Sequence, residues 1–315
     1  MGWFVLASTL LLTTGATPLV EQIAETTADA NVEVLQLDRE RYNRLTVPVT
    51  IGEHGPFDFM VDTGAQATVL STRLADQLGL GERQSARLIG MASIRDIETA
   101  SIDGLALGSR TFDIEIAAIV EQANIGGADG ILGLDSLQDQ RVLLDFRERT
   151  IAVADAETLG GNRGYDIIVR ARDELGQLVI TGANIDGVRV AVIVDTGAQR
   201  SIGNSALRDR LRGRNSGTME MTDINGVQID GNVRIARDMR IGRARMTNIP
   251  VAFVESPTFA ALGLADQPAM VLGMNELKLF QRVAIDFRDR RVLFDLPRGS
   301  RDWLDEPIGG SRYSF

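Results

Sequence analysis

Two copies of the segment Asp-Thr-Gly-Ala-Gln, at 62–66 and 195–199, carry the side chains best placed to do chemistry. Each copy follows an apolar run, which is typical of a buried strand that holds its aspartate rigidly. The glycine lets the chain turn and brings backbone N–H groups against the carboxylate. If the two carboxyls lay about 3 Å apart they would share one proton, because like charges that close cannot both ionise. One could then activate a water while the other polarises a substrate carbonyl, which is the chemistry of amide hydrolysis.

Amino-acid composition removes most competing chemistries. The chain has no cysteine and one histidine, which excludes thiol nucleophiles, disulfides and thiolate metal sites. A Ser-His-Asp triad would need His54 as its base, but the surrounding GEHGP pattern is typical of a solvated hairpin tip. A metal site would have to consist almost entirely of carboxylates. We therefore predict no metal and no cofactor, and we assign acid–base chemistry to Asp and Glu.

Charge and apolar content narrow the class of partner. The 315 residues carry a formal net charge of −10, which argues against nucleic acid, because phosphate neutralisation needs a basic face. Apolar residues make up 44% of the chain, enough to bury a sizeable core. Aromatic residues make up only 5%, so the core and any substrate groove are expected to be mainly aliphatic.

A long-period repeat runs through most of the chain. Asp62 and Asp195 lie 133 positions apart, and three further pairs of segments keep the same order at spacings of 134 to 141. These pairs are Leu107-Gly108 with Ile241-Gly242, Ile131-Leu132-Gly133 with Val271-Leu272-Gly273, and Asp145-Phe146-Arg147 with Asp286-Phe287-Arg288. A constant order with a slowly drifting offset indicates a duplicated domain with loop insertions.

The repeat divides the chain into two lobes. We predict an N-terminal lobe over 41–155, a linker at 156–164 and a C-terminal lobe over 165–298, followed by a tail at 299–315. Each lobe reads as short strands separated by Gly and Asp turns.

Two long hairpins and two short helices stand out within these lobes. One hairpin has its predicted tip near Gly90–Arg95, and the other has its tip near Asn225-Gly226. One helix is expected after Ser71, whose side chain can cap its first turn, and a turn of helix is expected after Asn204.

The N-terminal residues have the pattern of an export signal. Trp3–Leu12 is an apolar stretch too short to span a bilayer, and small residues precede a possible cleavage point after Ala16. We predict a signal peptide at 1–16 and a periplasmic or secreted protein. The following segment, 17–40, is interpreted as a strand or linker, with a short pro-segment as the alternative. No later segment has transmembrane length.

Two paired motifs resemble the aspartic peptidase clan. The matching segments are VDTGA at 61–65 and 194–198, with ADGILGLDSL at 128–137 and MVLGMNEL at 270–277. The resemblance is to a bacterial-type, exported, single-chain protease of the retropepsin-like and pepsin-like kind. It implies an all-β fold of two homologous retropepsin-like β-barrel lobes, related by a pseudo-twofold axis and carrying short helices. It also implies a monomer with both half-sites in one chain.

The resemblance implies roles for individual residues. Asp62 and Asp195 would be the catalytic dyad, supported by the residues that follow each aspartate: Thr63, Gly64 and Ala65 in the first loop and Thr196, Gly197 and Ala198 in the second. The threonines would make interlocking hydroxyl contacts between the loops. The two alanines replace the hydroxyl residues usual in pepsin-like enzymes, so fewer donors would stabilise the charged form. We therefore expect the dyad to titrate higher than pepsin's, with activity nearer neutral pH.

The substrate would be a protein or peptide held under a flap. Either long hairpin could supply that flap, with Gly90, Met91 and Ala92 at one tip and Asn225 and Gly226 at the other. The predicted function is that of an aspartic endopeptidase. The alternative is a catalytically inactive protein of the same fold that binds peptides or inhibits peptidases.

Overall fold

A computed structural model describes residues 33–36, 46–108, 110–213 and 215–297. Strands dominate these ranges, and the all-β fold with short helices that the resemblance implied is confirmed. The predicted signal peptide, most of the segment 17–40 and the predicted tail lie outside the described residues. Within the described ranges, none of the helices has the length and apolar composition that crossing a membrane requires.

The N-terminal half contributes ten strands to the described structure. They are β1 (Glu33–Gln36), β2 (Thr46–Ile51), β3 (His54–Val61), β4 (Val69–Ser71), β5 (Gln84–Ile89), β6 (Ile94–Leu107), β7 (Arg110–Val120), β8 (Gly130–Leu132), β9 (Arg141–Asp145) and β10 (Thr150–Ala154). One sheet has the order β2-β3-β8-β4-β7-β6-β5, and an additional β2–β6 pairing closes six of these strands into a barrel.

The C-terminal half repeats this plan with extra strands. They are β11 (Ile167–Arg170), β12 (Arg172–Glu174), β13 (Gln177–Ile185), β14 (Val188–Val194), β15 (Ser201–Gly203), β16 (Gly217–Thr222), β17 (Gln228–Ala236), β18 (Met239–Ile241), β19 (Ala244–Met246), β20 (Ile249–Phe253), β21 (Ala269–Leu272), β22 (Arg282–Asp286) and β23 (Arg291–Asp295). The main sheet of this half has the order β16-β17-β20-β15-β21-β14-β13-β18-β19, and β12 pairs with β13.

Five short helices and one 3₁₀ turn occur among the described residues, and the helices after β4 and β15 follow the strands that lead out of the two aspartate loops. The helices are α1 (Thr72–Gln77), α2 (Leu134–Leu137), α3 (Ser205–Arg210), α4 (Pro257–Ala261) and α5 (Met274–Leu277), with a 3₁₀ turn at Gln122–Ile125. The Ser71 hydroxyl accepts a hydrogen bond from the Leu74 N–H at 3.1 Å, and the Asn204 side chain accepts one from the Leu207 N–H at 2.9 Å. The predicted Ser71 cap and the Asn204 cap therefore begin helices at equivalent places in the two lobes.

A third sheet, shared by both lobes, contains the pseudo-twofold axis. Its order is β1-β10-β9-β22-β23-β11, so the central pair joins one strand from each half. In that antiparallel pair Leu143 lies opposite Ala284. These two residues are 141 positions apart, the offset that relates the two Asp-Phe-Arg segments. Equivalent residues of the two copies thus face each other, and the axis that relates the lobes passes between them.

A buried ion pair ties the same central strands together. The Arg141 guanidinium donates to the Asp286 carboxylate at 2.6 Å, and the two side chains are 1% and 0% exposed. Arg141 also donates to the Asn162 side chain at 2.8 Å and to the Gly161 carbonyl. The segment between the lobes is therefore fastened to the shared sheet, and loss of one partner would leave an uncompensated buried charge.

We expect Asp286→Ala to lower the free energy of unfolding by about 3–5 kcal/mol, because it leaves the Arg141 charge buried without its carboxylate. Urea denaturation followed by circular dichroism measures this change. Asp209→Ala, which removes an exposed partner of Arg208, is the control and should cost less than about 1 kcal/mol. Equal effects of the two substitutions would contradict the prediction.

Candidate active site

The buried ends of two strands place the aspartates at the boundary between the lobes. Asp62 follows β3, which pairs in parallel with β8, and Asp195 follows β14, which pairs in parallel with β21. The Asp62 N–H donates to the Leu132 carbonyl and the Asp195 N–H to the Leu272 carbonyl, each at 3.1 Å. The residues that lead directly into each aspartate, 59–61 and 190–194, are buried and apolar, as is typical of strand segments covered on both faces. The second motif of each copy thus lies directly beside its aspartate loop.

Reciprocal threonine contacts lock the two loops together. The Thr63 hydroxyl donates to the Val194 carbonyl at 2.8 Å and accepts from the Thr196 N–H at 3.2 Å. The Thr196 hydroxyl donates to the Val61 carbonyl at 2.7 Å and accepts from the Thr63 N–H at 3.0 Å. Both side chains are buried. Four hydrogen bonds therefore cross between the lobes within one turn of each aspartate.

Backbone amides hold one oxygen of each carboxylate. Oδ1 of Asp62 accepts from the Gly64 N–H at 2.8 Å and from the Ala65 N–H at 3.1 Å. The second loop repeats this arrangement, since Oδ1 of Asp195 accepts from the amides of the glycine and alanine that follow it, at 2.8 and 3.0 Å. Each carboxyl is thereby fixed in plane, with its other oxygen turned away from these donors.

The glycine of each loop is required by the carboxyl of the opposite loop. An ideal Cβ built on Gly64 would lie 2.5 Å from Cγ of Asp195. A Cβ on Gly197 would overlap the Asp62 carboxyl in the same way. A side chain at either position would push the carboxyls apart, so close approach across the lobes is a stronger reason for glycine here than turn geometry.

The two carboxyls are hydrogen-bonded to each other, and this contact changes the titration of Asp195. The pKa of Asp195 is raised well above its ordinary value, first by burial, then by the Asp62 charge and by the hydrogen bond that protonated Asp195 donates to the Asp62 carboxylate. The amides of Ala198 and Gly197 act in the opposite direction. The pair is therefore expected to retain one proton at pH values where an ordinary aspartate is ionised.

The aspartates line a cleft of about 600 Å³, from which both remain partly accessible, although protein atoms pack closely around the Asp195 carboxyl. A buried apolar cluster in each lobe backs the cleft, and we call these clusters the N-lobe wall and the C-lobe wall. The residues of the N-lobe wall that line the cleft are Met60, Val69, Ala118, Ile125 and Ile131. The residues of the C-lobe wall that line it are Ile193, Ile202, Leu262 and Val271.

The walls are related by the internal repeat. Three of the residue pairs that line the cleft occupy equivalent positions in the two lobes: Met60 with Ile193, Val69 with Ile202, and Ile131 with Val271. The two sides of the aspartate pair therefore offer similar aliphatic surfaces.

Both long hairpins cover the cleft. The N-terminal flap, β5–β6, places Gly90 and Met91 on the cleft, and Met91 packs against the C-lobe wall. The C-terminal flap, β16–β17, places Ile224 on the cleft, where it packs against the N-lobe wall. Each flap thus reaches across to the opposite lobe, and the sequence had left open which hairpin would do so.

The remaining tip residues make contacts between the hairpins or with the lobes. The Ala92 N–H donates to the Asp223 carboxylate at 3.2 Å, and the Asn225 amide donates to the Ser93 hydroxyl at 3.0 Å. Gly226 lies against the Asn124 side chain. The structure therefore brings together the tip residues that the sequence had placed on separate hairpins.

Two residues near the aspartates were missed from sequence. Gln177 is 3% exposed, lines the cleft and donates through Nε2 to the Gly64 carbonyl. No local pattern distinguishes it. Asp223 is 6% exposed and joins the two flaps. Its place in Asp-Ile-Asn-Gly is typical of a turn-forming aspartate, which indicates the turn but not its partner.

A family model for aspartyl proteases matches residues 47–136 and 181–275, one match in each lobe and together more than half of the chain. The chain belongs to the aspartyl protease family.

Two individual proteins resemble a shorter part of the chain. The chain is 32% identical over 120 residues to DNA damage-inducible protein 1 of Eremothecium gossypii, covering 37% of this chain and 24% of that protein. It is 35% identical over 104 residues to DNA damage-inducible protein 1 of Saccharomyces cerevisiae, covering 32% and 23%. The matched part thus spans about a quarter of the length of these relatives.

The raised pKa of Asp195 gives a stability prediction. A carboxyl whose folded pKa exceeds its unfolded value of about 3.9 stabilises the fold fully below that value and loses this contribution as pH rises through the folded value. Asp195→Asn removes this titrating carboxyl, so the variant does not lose stability by its ionisation. We therefore expect the free energy of unfolding of the variant, taken relative to that of the wild type, to increase as pH rises from about 4 to about 7.

Urea denaturation at a series of pH values measures this difference. Asp103→Asn removes an exposed carboxyl from the N-terminal lobe and serves as the matched control. A stability difference between Asp195→Asn and wild type that stays constant over the whole pH range would contradict the prediction.

Proposed function

We propose that this protein is an aspartic endopeptidase that hydrolyses peptide bonds with water. The observation that carries the proposal is the hydrogen-bonded pair Asp62 and Asp195 at the floor of a cleft large enough for a peptide segment. The function follows from the pair holding one proton, since one carboxyl can then act as a base and the other as an acid.

The pair would act on a water bound between its carboxyls and the substrate. With Asp195 protonated and Asp62 ionised, Asp62 accepts a proton from the water as its oxygen bonds to the carbonyl carbon. Asp195 donates its proton to the carbonyl oxygen, giving a tetrahedral diol. Return of one diol proton to Asp195 and transfer of the Asp62 proton to the amide nitrogen break the C–N bond and restore the starting pair.

The cleft favours an extended peptide with aliphatic side chains. The N-lobe and C-lobe walls lie on either side of the aspartates, and the flaps offer strand edges above them. An extended chain can pair with such edges through its backbone, while alternate side chains enter the two walls. We therefore propose a protein or peptide substrate with aliphatic residues beside the cleaved bond.

The structure supports action as a single chain, because both half-sites come from one polypeptide. Export to the periplasm or beyond is proposed from the apolar stretch Trp3–Leu12 alone. The absence of a nucleic-acid partner is likewise proposed from the net charge of −10.

The decisive experiment compares Asp62→Asn and Asp195→Asn with wild type on a peptide library, with mass-spectrometric detection of the products. We expect each substitution to reduce kcat/KM by about 10⁴-fold or more, as for loss of one member of a catalytic group that acts as a unit. Asp103→Asn should cleave as wild type does. Circular dichroism of every variant confirms that the fold is retained.

Two outcomes would overturn the proposal. Unaltered cleavage by either Asn variant would remove the pair from the mechanism. Tight binding of peptides by the wild type without any cleavage would support the alternative, an inactive peptide-binding or inhibitor-like protein of the same fold. A transition-state hydroxyl inhibitor such as pepstatin adds a further check, because it should block the wild type.

The pH–rate profile should reach its maximum nearer neutral than strongly acidic pH. Activity requires one proton on the pair, and the raised pKa of Asp195 moves the loss of that proton to higher pH. Ala198→Ser would add a hydroxyl donor beside the carboxylate and should move the alkaline limb downward. A wild-type maximum well below about pH 4, the range of an ordinary aspartate, would contradict the prediction.

A further inference from the structure

A group of polar side chains joins the tips of the two flaps over the cleft. We call it the flap latch, and it consists of Ala92 and Ser93 from the N-terminal flap with Asp223 and Asn225 from the C-terminal flap. Oδ2 of Asp223 accepts hydrogen bonds from the Ser93 hydroxyl at 2.7 Å and from the Ala92 N–H at 3.2 Å. The Asn225 amide donates to the Ser93 hydroxyl at 3.0 Å and to the Ser93 carbonyl at 3.3 Å.

The two carboxylate oxygens of Asp223 accept hydrogen bonds from different flaps. Oδ1 accepts from the Asn225 N–H at 3.0 Å and the Val227 N–H at 2.9 Å, which builds the turn at the tip of its own flap. Oδ2 bonds only to the other flap among the described contacts. A carboxylate that is 6% exposed needs such donors, because burial without them would be costly. Opening the flaps therefore strips Oδ2 of both protein donors.

The latch depends on a difference between the two lobes. Asp223 lies 133 positions after Gly90, the same offset as the two catalytic loops, so the equivalent flap position is aspartate in one lobe and glycine in the other. An ideal Cβ on Gly90 would lie 2.6 Å from Oδ2 of Asp223. Two identical flaps would bring either two carboxylates or none to this point. The contact is thus available to a duplicated chain whose halves have diverged.

Further contacts hold the N-terminal flap in the closed position. The Thr258 hydroxyl, at α4 of the C-terminal lobe, donates to the Gly90 carbonyl at 3.1 Å. The Ser256 hydroxyl lies 3.0 Å from the Met91 sulfur. The C-terminal flap is held in turn by Ile224 on the N-lobe wall. Each flap is anchored on the opposite lobe, and the latch couples the two anchors.

We propose that Asp223 is a positioning residue, whose carboxylate makes the two flaps close over the substrate as one lid. The inference rests on the proposed peptidase function, since it assigns a role within that reaction. Substrate can enter only when the Asp223 contacts to Ala92 and Ser93 are broken. Their return stabilises the closed complex in which the substrate lies against the aspartate pair.

Asp223→Asn separates the two jobs of this side chain. The asparagine oxygen can still accept from the Asn225 and Val227 amides, so the turn is kept. Its NH₂ group cannot accept from the Ala92 N–H or the Ser93 hydroxyl, so both hydrogen bonds that Oδ2 accepts from the other flap are lost. Asp230→Asn removes a carboxyl of the same flap that is exposed and outside the latch, and it is the matched control.

Steady-state kinetics on a cleaved peptide distinguish positioning from a structural role. We expect Asp223→Asn to raise KM about tenfold, as for loss of a charge-assisted hydrogen bond in the closed complex, with kcat within about twofold of wild type. Partial unfolding would instead reduce the active fraction, which lowers the apparent kcat and leaves KM unchanged. If the KM of Asp223→Asn equals that of the wild type, the proposal is overturned.

A distance measurement tests the latch without relying on catalysis. The chain has no cysteine, so spin labels can be attached to cysteines introduced at the exposed positions Arg95 and Gln228, one on each flap. We expect a narrow distribution of distances with Asp223 present and a longer, broader one in Asp223→Asn. Identical distributions would refute the latch.

The two experiments also separate this inference from the proposed function. If the wild type cleaves no peptide, the proposed function is wrong. If the wild type cleaves peptides but Asp223→Asn has the same KM and the same distances as wild type, only the role of Asp223 is wrong.

Discussion

Two carboxyl groups can remain in hydrogen-bond contact only while a proton lies between them, and the architecture of this protein serves to keep Asp62 and Asp195 in that contact. The Thr63 and Thr196 hydroxyls fasten each loop to the strand of the other lobe. Glycines leave room for the facing carboxyls, and backbone amides hold one oxygen of each. These contacts hold the two buried acids close together although burial and like charge disfavour it. The pair retains a proton as a result.

The two copies of the domain are alike around the aspartate pair and differ at the tips of the flaps. The shared sheet places Leu143 opposite its repeat equivalent Ala284, which positions the two aspartate loops to meet at the axis. The apolar walls on either side of the pair are likewise equivalent. The flap tips break this symmetry, because Asp223 faces donors from a flap whose own equivalent residue is Gly90. An acid pair that must stay symmetric and a latch that must not can coexist in one chain.

Local patterns made much of the fold predictable from sequence. The caps at Ser71 and Asn204, the two long hairpins and the paired Asp-Thr-Gly loops each depend on a few neighbouring residues or on a repeated segment. The two-lobed family fold could be predicted because two ordered copies of a two-part motif are far more specific than one.

The parts that could not be predicted depend on how the lobes pack. Asp223 and Ser93 are 130 positions apart, and Arg141 and Asp286 are 145 apart. The local sequence around each of these residues is that of an ordinary turn or strand. The role of Gln177 is hidden in the same way, since its contact is to a carbonyl in the other lobe. Such contacts become visible only when both halves are placed in one structure.

The central claim is the single proton held by the aspartate pair, and carboxyl carbon NMR of the protein labelled selectively at aspartate tests it most directly. In a titration upward from about pH 4, the range of an ordinary aspartate, the account predicts one aspartyl carboxyl in the wild type that stays protonated after the others have ionised. That signal should be absent from Asp195→Asn, and it should ionise at lower pH in Asp62→Asn, which keeps the burial of Asp195 but lacks the neighbouring charge. A wild-type spectrum in which every aspartate ionises together in the ordinary range would contradict the account.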